Sequence, residues 1–443
     1  MSLSALIKDR GLFGPGLIAF AIKIAGAGLT YGMVVLLARM LGADQYGRFA
    51  FGLNAATILA AVGNFGFANA LMKFWPKYRV DNNKAAAKGL VQKGLAITAL
   101  GGLAAAAVVT GLAFVAAWLG FNADPMAFLV IGVLSVIVNL GDTFSNLLRA
   151  QGSVVVSMLP RDVLWRIFIP VLGFLALRFG LGLSGTGALC ISAGVLLVLV
   201  IWQGWVIAGN VAALGPGLVG TFDLAALRPN LIPLWLSSLI YGMIQQFDVV
   251  IVGSLLSKAD AGAYFAAQKT AQLLSLALIA GGLVTAPSMA GLYHAGKKAE
   301  LQSLCQKLAL AIALSTAAGY LLLVVAGHWL LGLFDPSFRS AYPILLIVGF
   351  GAVVDAISGP NAYLMQMTSY EKAYLKIMLG CYIAVVAAQF ILIPWLGMIG
   401  AALASAGGVI LWNLTAIIVL RRHAGLDPSL LALVFPPQPK PKS

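Results

Sequence analysis

The chain has 443 residues, 61% of them hydrophobic and only 9% charged, with a mean hydropathy of +0.97. An ordinary soluble domain carries about 25% charged residues, so this composition excludes one and defines a polytopic membrane protein. The three cysteines, Cys190, Cys305 and Cys381, all fall in apolar runs, which leaves no disulfide framework and no metal-ligand spacing.

Apolar runs of about 20 residues recur along the whole chain, each long enough to cross a hydrocarbon core as a helix. None alternates with the period of two that a barrel strand needs. Twelve spans are predicted, at 14–38, 46–70, 94–118, 126–148, 154–178, 185–208, 231–256, 261–286, 305–326, 341–364, 373–394 and 398–420. The fold class is therefore all-α and polytopic. Between spans lie turn signals such as Gly42-Ala43-Asp44, Asp124-Pro125, Asp335-Pro336-Ser337 and Gly397. Pro160, Pro170 and Pro233 lie inside spans, where neighbouring groups must satisfy the carbonyls they free. Lys8 and Arg10 before the first apolar run resemble a signal peptide, but the run is long and many spans follow, so it reads as a retained helix.

The +14 net charge is distributed by side. With the N-terminus inside, the cytoplasmic loops hold the cluster from Lys73 to Lys93 together with Arg149, Arg228, Lys297, Lys298, Lys372, Arg421 and Arg422. The outer loops keep only Arg39, Arg48, Arg178, Lys258 and Arg339. This positive-inside bias predicts a multi-pass protein with both termini cytoplasmic, and it argues for topology plus an anionic ligand rather than nucleic acid.

A shift of 215 residues superposes the two halves of the chain. It carries Gly47 onto Gly262, Phe49 onto Tyr264, Asn146 onto Asn361, Gln151 onto Gln366 and Gly185 onto Gly400. Six spans per half, an even number, make the repeat parallel. The expected division is an N-terminal lobe over 1–208, a cytoplasmic linker over 209–230, a C-terminal lobe over 231–422 and a tail over 423–443 that is disordered or lies on the surface. A cleft between two such lobes is the usual place for a transporter's substrate.

Charges inside membrane spans are costly and mark candidate sites. Asp248 and Lys269 each lie about nine residues from the break at Ser257 to Asp260, roughly 13 Å along their helices, and so share one depth. Either they neutralise one another across a hairpin or they contact a ligand. Lys23, Arg161, Arg166 and Lys269 form the basic set, and Asn54 joins them because the repeat pairs it with Lys269. This set is net basic and suits an anionic ligand. Asp142 and Asp355 read as helix-to-helix partners or as carriers of a coupling proton, and Asp248 as a coupling or pairing group. Asn64, Gln245 and Gln246 are polar residues inside spans, where interhelical hydrogen bonds are their ordinary role. Gly28 and Gly32 have the spacing of close helix packing. The GxGxxG at Gly180 to Gly185 has no strand before it and is no nucleotide site.

LARMLGADQYGRFAF after the first span, its echo IVGSLLSKADAGAYFAA after the seventh, and GLSGTGALCISAG entering the sixth resemble the polysaccharide transporter family. This is the Wzx-type flippase branch of the multidrug/oligosaccharidyl-lipid/polysaccharide (MOP) superfamily. The resemblance implies a V-shaped twelve-helix protein of the bacterial inner membrane. It implies that the protein flips a polyprenyl-diphosphate-linked oligosaccharide, an O-antigen or exopolysaccharide repeat unit, by alternating access and without ATP hydrolysis of its own; the basic set would then meet the phosphate oxygens, and Asn64, Gln245 and Gln246 the sugar hydroxyls. Membrane lipids and a polysaccharide polymerase or glycosyltransferases are the implied partners. No cofactor is implied, and proton or sodium coupling stays open. The rival readings are a cation-coupled drug or metabolite antiporter of the same superfamily and, in another class, a membrane glycan ligase or polymerase. The short outer loops and the lack of a nucleophile with a base speak against the latter.

Overall fold

The apolar runs have no means of satisfying their backbone in lipid except by internal hydrogen bonds, and they fold accordingly into helices. The computed structural model describes residues 10–433 apart from 122, 123, 216, 367 and 369. It is 88% helical, with no strand among the described residues. In chain order the helices are α1 Arg10–Leu41, α2 Ala43–Gly63, α3 Phe67–Val80, α4 Lys84–Trp118, α5 Pro125–Ala150, α6 Val154–Leu159, α7 Trp165–Arg178 and α8 Gly185–Ala212. There follow α9 Leu224–Leu255, α10 Lys258–Gln272, α11 Leu276–His294, α12 Lys298–Gly332, α13 Tyr342–Ser358, α14 Asn361–Gln366, α15 Glu371–Leu396 and α16 Met398–Val419.

Eight helices among the described residues are long and apolar enough to cross a membrane, or ten if two bent pairs each count as one span. The expected twelve is not reached because several runs are broken. One is interrupted by a π-helical turn at Pro160–Leu164, and another by a 3-10 turn at Leu273–Ser275. A third bends by 51° between α2 and α3, where Phe65 (φ 48°) and Gly66 (φ 80°) take left-handed conformations. A side chain at Gly66 would also strike the backbone: its Cβ would stand 2.5 Å from the Leu231 carbonyl oxygen.

The break at Pro160 has a plain chemical cause and a local remedy. Proline brings no N–H, so the turn preceding it is left with unpaired carbonyls. The buried Gln203 amide on α8 donates to Val156 O at 3.0 Å and to Ser157 O at 3.3 Å, filling that gap.

The chain forms two compact units, Met1–Val250 and Ile251–Ser443. In the first, Phe67, Leu71, Phe74, Trp75, Leu90, Leu147, Ile207 and Leu231 share one core cluster. In the second, Met289, Leu301, Cys305, Leu364, Met365 and Leu420 do so. Elsewhere large apolar side chains face outward, among them Leu112, Phe174, Val325 and Ile391. Such exposure suits lipid and not water. Exposed aromatics at helix ends, Trp118, Phe179, Trp329 and Trp395, are placed as interfacial anchors.

Helix boundaries obey the 215-residue shift. It moves α1 onto 225–256, where α9 occupies Leu224–Leu255, and α4 onto 299–333, where α12 occupies Lys298–Gly332. The repeat also reaches the segments after the sixth span of each half. In the first unit, residues 217–223 strap across the start of α4: Thr221 N donates to Ala85 O at 3.0 Å and Lys88 Nζ to Leu218 O at 2.7 Å. In the second, residues 425–433 strap across the start of α12. The fully buried Asp427 accepts from Arg421 Nε at 2.5 Å and from Ser429 N at 2.9 Å, and its own N–H donates to Gln302 Oε1 at 2.9 Å. This part of the expected tail is packed into the unit and does not lie on its surface; the terminal PPQPKPKS lies outside the described residues.

Candidate functional site

On α5, Asp142, Asn146 and Arg149 are four and three residues apart and therefore share a face. The π-helical turn across from them accommodates an extra residue and presents successive side chains to different neighbours, a device common at functional sites. Arg161 turns toward α5 and forms an ion pair with Asp142. Asp162, only 8% exposed, turns toward α1 and α7. Its Oδ2 lies 3.0 Å from Lys23 Nζ and its Oδ1 3.3 Å from Arg166, which also donates to the Asp162 carbonyl at 2.8 Å. Arg149 donates to Asn146, and both Arg149 and Arg161 lie within electrostatic reach of Asp162.

The helix that carries Lys23 approaches this turn closely because Gly26 has no side chain. A Cβ there would stand 2.6 Å from an Arg166 guanidinium nitrogen and 2.9 Å from the Asp162 carbonyl. Gly28 and Gly32, expected to be the close-packing pair, would meet nothing within 4 Å. The packing glycine of α1 is Gly26, two residues earlier.

A cavity of about 520 Å³ opens beside these charges within the first unit. Its lining includes Thr57, Asn64, Asn69, Asp142, Asn146, Arg161, Ser238 and Gln246. Asn69 Nδ2 donates to Ser238 Oγ at 2.8 Å, so part of this polar wall is fixed by a bond between α3 and α9.

Of the sequence-derived candidates, Asp142, Arg161, Asn64 and Gln246 meet on this cavity. Lys23 and Arg166 stand behind it on Asp162. Asn54 does not line it: the residue is 1% exposed and its amide donates to Ala50 O of its own helix at 2.7 Å. Gln245's side chain lies outside what the structure describes. Asp248 is buried in the first unit, whereas Lys269 belongs to the second, bonded to Gln272 Oε1 at 3.1 Å and lying 5.0 Å from the Phe265 ring centroid. Asp355 accepts from Asn413 Nδ2 at 2.8 Å, and Asn413 accepts from Asn361 at 3.0 Å, a chain that ties α13, α14 and α16 together.

Sequence reasoning missed Arg149, which was counted only as a topology charge, and the bridging role of Asp162. The signal was present: Arg149 recurs on the helix face of Asp142 and Asn146. Three cations, Lys23, Arg161 and Arg166, pair with two carboxylates, Asp142 and Asp162, and Arg149, bonded to Asn146, is a fourth cation near them, so the group carries an excess of two positive charges.

The chain shares its fold with solved transporters of the MOP superfamily. An inward-facing multidrug resistance transporter of the MATE family superposes with a TM-score of 0.71 at 14% identity, over 96% of this chain and 100% of that one. A MATE protein in its straight conformation gives 0.61 at 13% identity, over 92% and 95%. A MOP-superfamily transporter from Pyrococcus furiosus, for which a reversed polarity of the binding pocket suggested a different function, gives 0.62 at 13%, over 95% and 96%. No curated protein sequence matches the chain. The model of the family described as "Polysaccharide biosynthesis protein" matches residues 16–292, well over half of the chain, and the chain belongs to that family. The resemblance carried by LARMLGADQYGRFAF and its echo is borne out at this level.

Proposed function

We propose that the protein is a flippase that moves a polyprenyl-diphosphate-linked oligosaccharide, an O-antigen or exopolysaccharide repeat unit, across the bacterial cytoplasmic membrane by alternating access. Both termini are cytoplasmic in this reading, and the protein acts as a transporter and not as an enzyme. The observation that carries it is the excess of two positive charges around Asp162 and Asp142 in a membrane-embedded unit. A substituted diphosphate brings about two negative charges, and charge-assisted bonds from arginine and lysine are the strong means of holding them. Asn64, Asn69, Asn146, Ser238 and Gln246 add the neutral donors and acceptors that sugar hydroxyls need. Family membership supports a glycan as cargo.

The rival is a cation-coupled drug antiporter, whose site would need acidic groups in excess for its cationic cargo. Proteoliposomes carrying a lipid-linked glycan in one preparation and a cationic dye in another separate the two. The expected result is glycan translocation with no dye accumulation. Dye transport without glycan movement would refute the flippase.

A further inference from the structure

We propose that Asp162 is a resident counter-anion: it occupies Lys23 and Arg166 while the site is empty and gives them up to the substrate's diphosphate, a role that rests on the flippase reading. The geometry is that of an anion already bound. One carboxylate oxygen faces Lys23 Nζ at 3.0 Å and the other faces Arg166 at 3.3 Å, so two cations from separate helices grip a single planar anion. A phosphate group offers the same cations the same kind of oxygens.

Exposure favours exchange. The Lys23 side chain is 52% exposed although the carboxylate it holds is 11% exposed. The Lys23 side chain is therefore accessible without unpacking the turn that buries the carboxylate. Arg166 is held to the helix by its second bond to the Asp162 carbonyl, which keeps the guanidinium in place when the carboxylate lets go. The π-helical turn carries a spare residue, the local slack that a retreating Asp162 requires.

Two consequences follow for the transport cycle. Without Asp162, four cations would crowd an apolar surround with only Asp142 to offset them, so the empty state gains from an internal anion. Second, a site must bind firmly enough to load and weakly enough to unload. Asp162 weakens the substrate by competing for its cations and, on return, drives it out.

The test is equilibrium binding of farnesyl diphosphate to the purified full-length protein, paired with lipid-linked glycan transport. Asp162→Asn keeps the size of the side chain and removes its charge. The account expects it to bind farnesyl diphosphate about tenfold tighter than wild type while transporting glycan about tenfold more slowly. Lys23→Gln should bind it more weakly. The double variant Lys23→Gln/Asp162→Asn guards against misfolding of the single variant, since it leaves the charge balance unchanged; it should bind more tightly than Lys23→Gln alone. If the Asp162→Asn and double variants bind no better than their parents while Lys23→Gln still weakens binding, Asp162 is only a structural partner and the counter-anion is refuted, with the diphosphate site intact. If neither wild type nor variants bind farnesyl diphosphate, the diphosphate reading and the counter-anion fall together.

Discussion

Arg161→Glu is expected to abolish the proposed glycan translocation, by about a hundredfold or more, while the protein still inserts and accumulates normally. Arg161 lines the cavity and is paired with Asp142. Reversal changes the local balance by two charges and cancels the positive excess proposed to hold the diphosphate. It also sets a third carboxylate beside Asp142 and Asp162, so an approaching anion is repelled where it was attracted. The swapped pair, Asp142→Arg with Arg161→Asp, restores the balance and should recover part of the lost rate. Transport assays on reconstituted variants, normalised to the amount of inserted protein, read this directly. Undiminished translocation by Arg161→Glu would remove Arg161 from the site.

Gly26→Val should cut transport by about tenfold through geometry alone, since it alters no charge. Its Cβ would stand 2.6 Å from the Arg166 guanidinium and 2.9 Å from the Asp162 carbonyl, so α1 must withdraw and take Lys23 with it. The neighbouring Gly28→Val is the matched control, because a Cβ there meets nothing within 4 Å, and it should stay within about twofold of wild type. A thermal melt of each variant in detergent separates a moved site from a molecule that fails to fold. Equal transport by the two variants would contradict the close approach of α1 to the π-helical turn.

Much of this was legible in the sequence because membrane folding leaves few options. Apolar run length set the helices, and the 215-residue repeat read from the sequence reappears in the matching bounds of α1 with α9 and of α4 with α12. What the sequence hid were the breaks. Pro160 was visible, but the rescue of its freed carbonyls by Gln203 depends on a contact between segments more than forty residues apart. Neither the left-handed Phe65 nor the 3-10 turn at Leu273 is required by composition, so two runs read as continuous spans prove to be interrupted.

The site shows the same division. Matching depths on either side of a turn singled out Asp248 and Lys269. The same counting from the turn at residues 151–153 places Asp142 and Arg161 about nine or ten residues away on each side, and there the ion pair forms. Asn54 was nominated by symmetry with Lys269, yet an asparagine amide reaches its own helix carbonyl four residues back, and Asn54 does so. Repeat symmetry relates backbones more faithfully than side-chain roles.

In the proposed mechanism the first-unit cations recognise the diphosphate itself. Translocation rates measured in the same proteoliposomes for one glycan carried either on a polyprenyl diphosphate or on the uncharged polyprenyl ether test it most directly. The account predicts rapid movement of the diphosphate-linked glycan and background movement of the ether-linked one. Equal rates for both would contradict it.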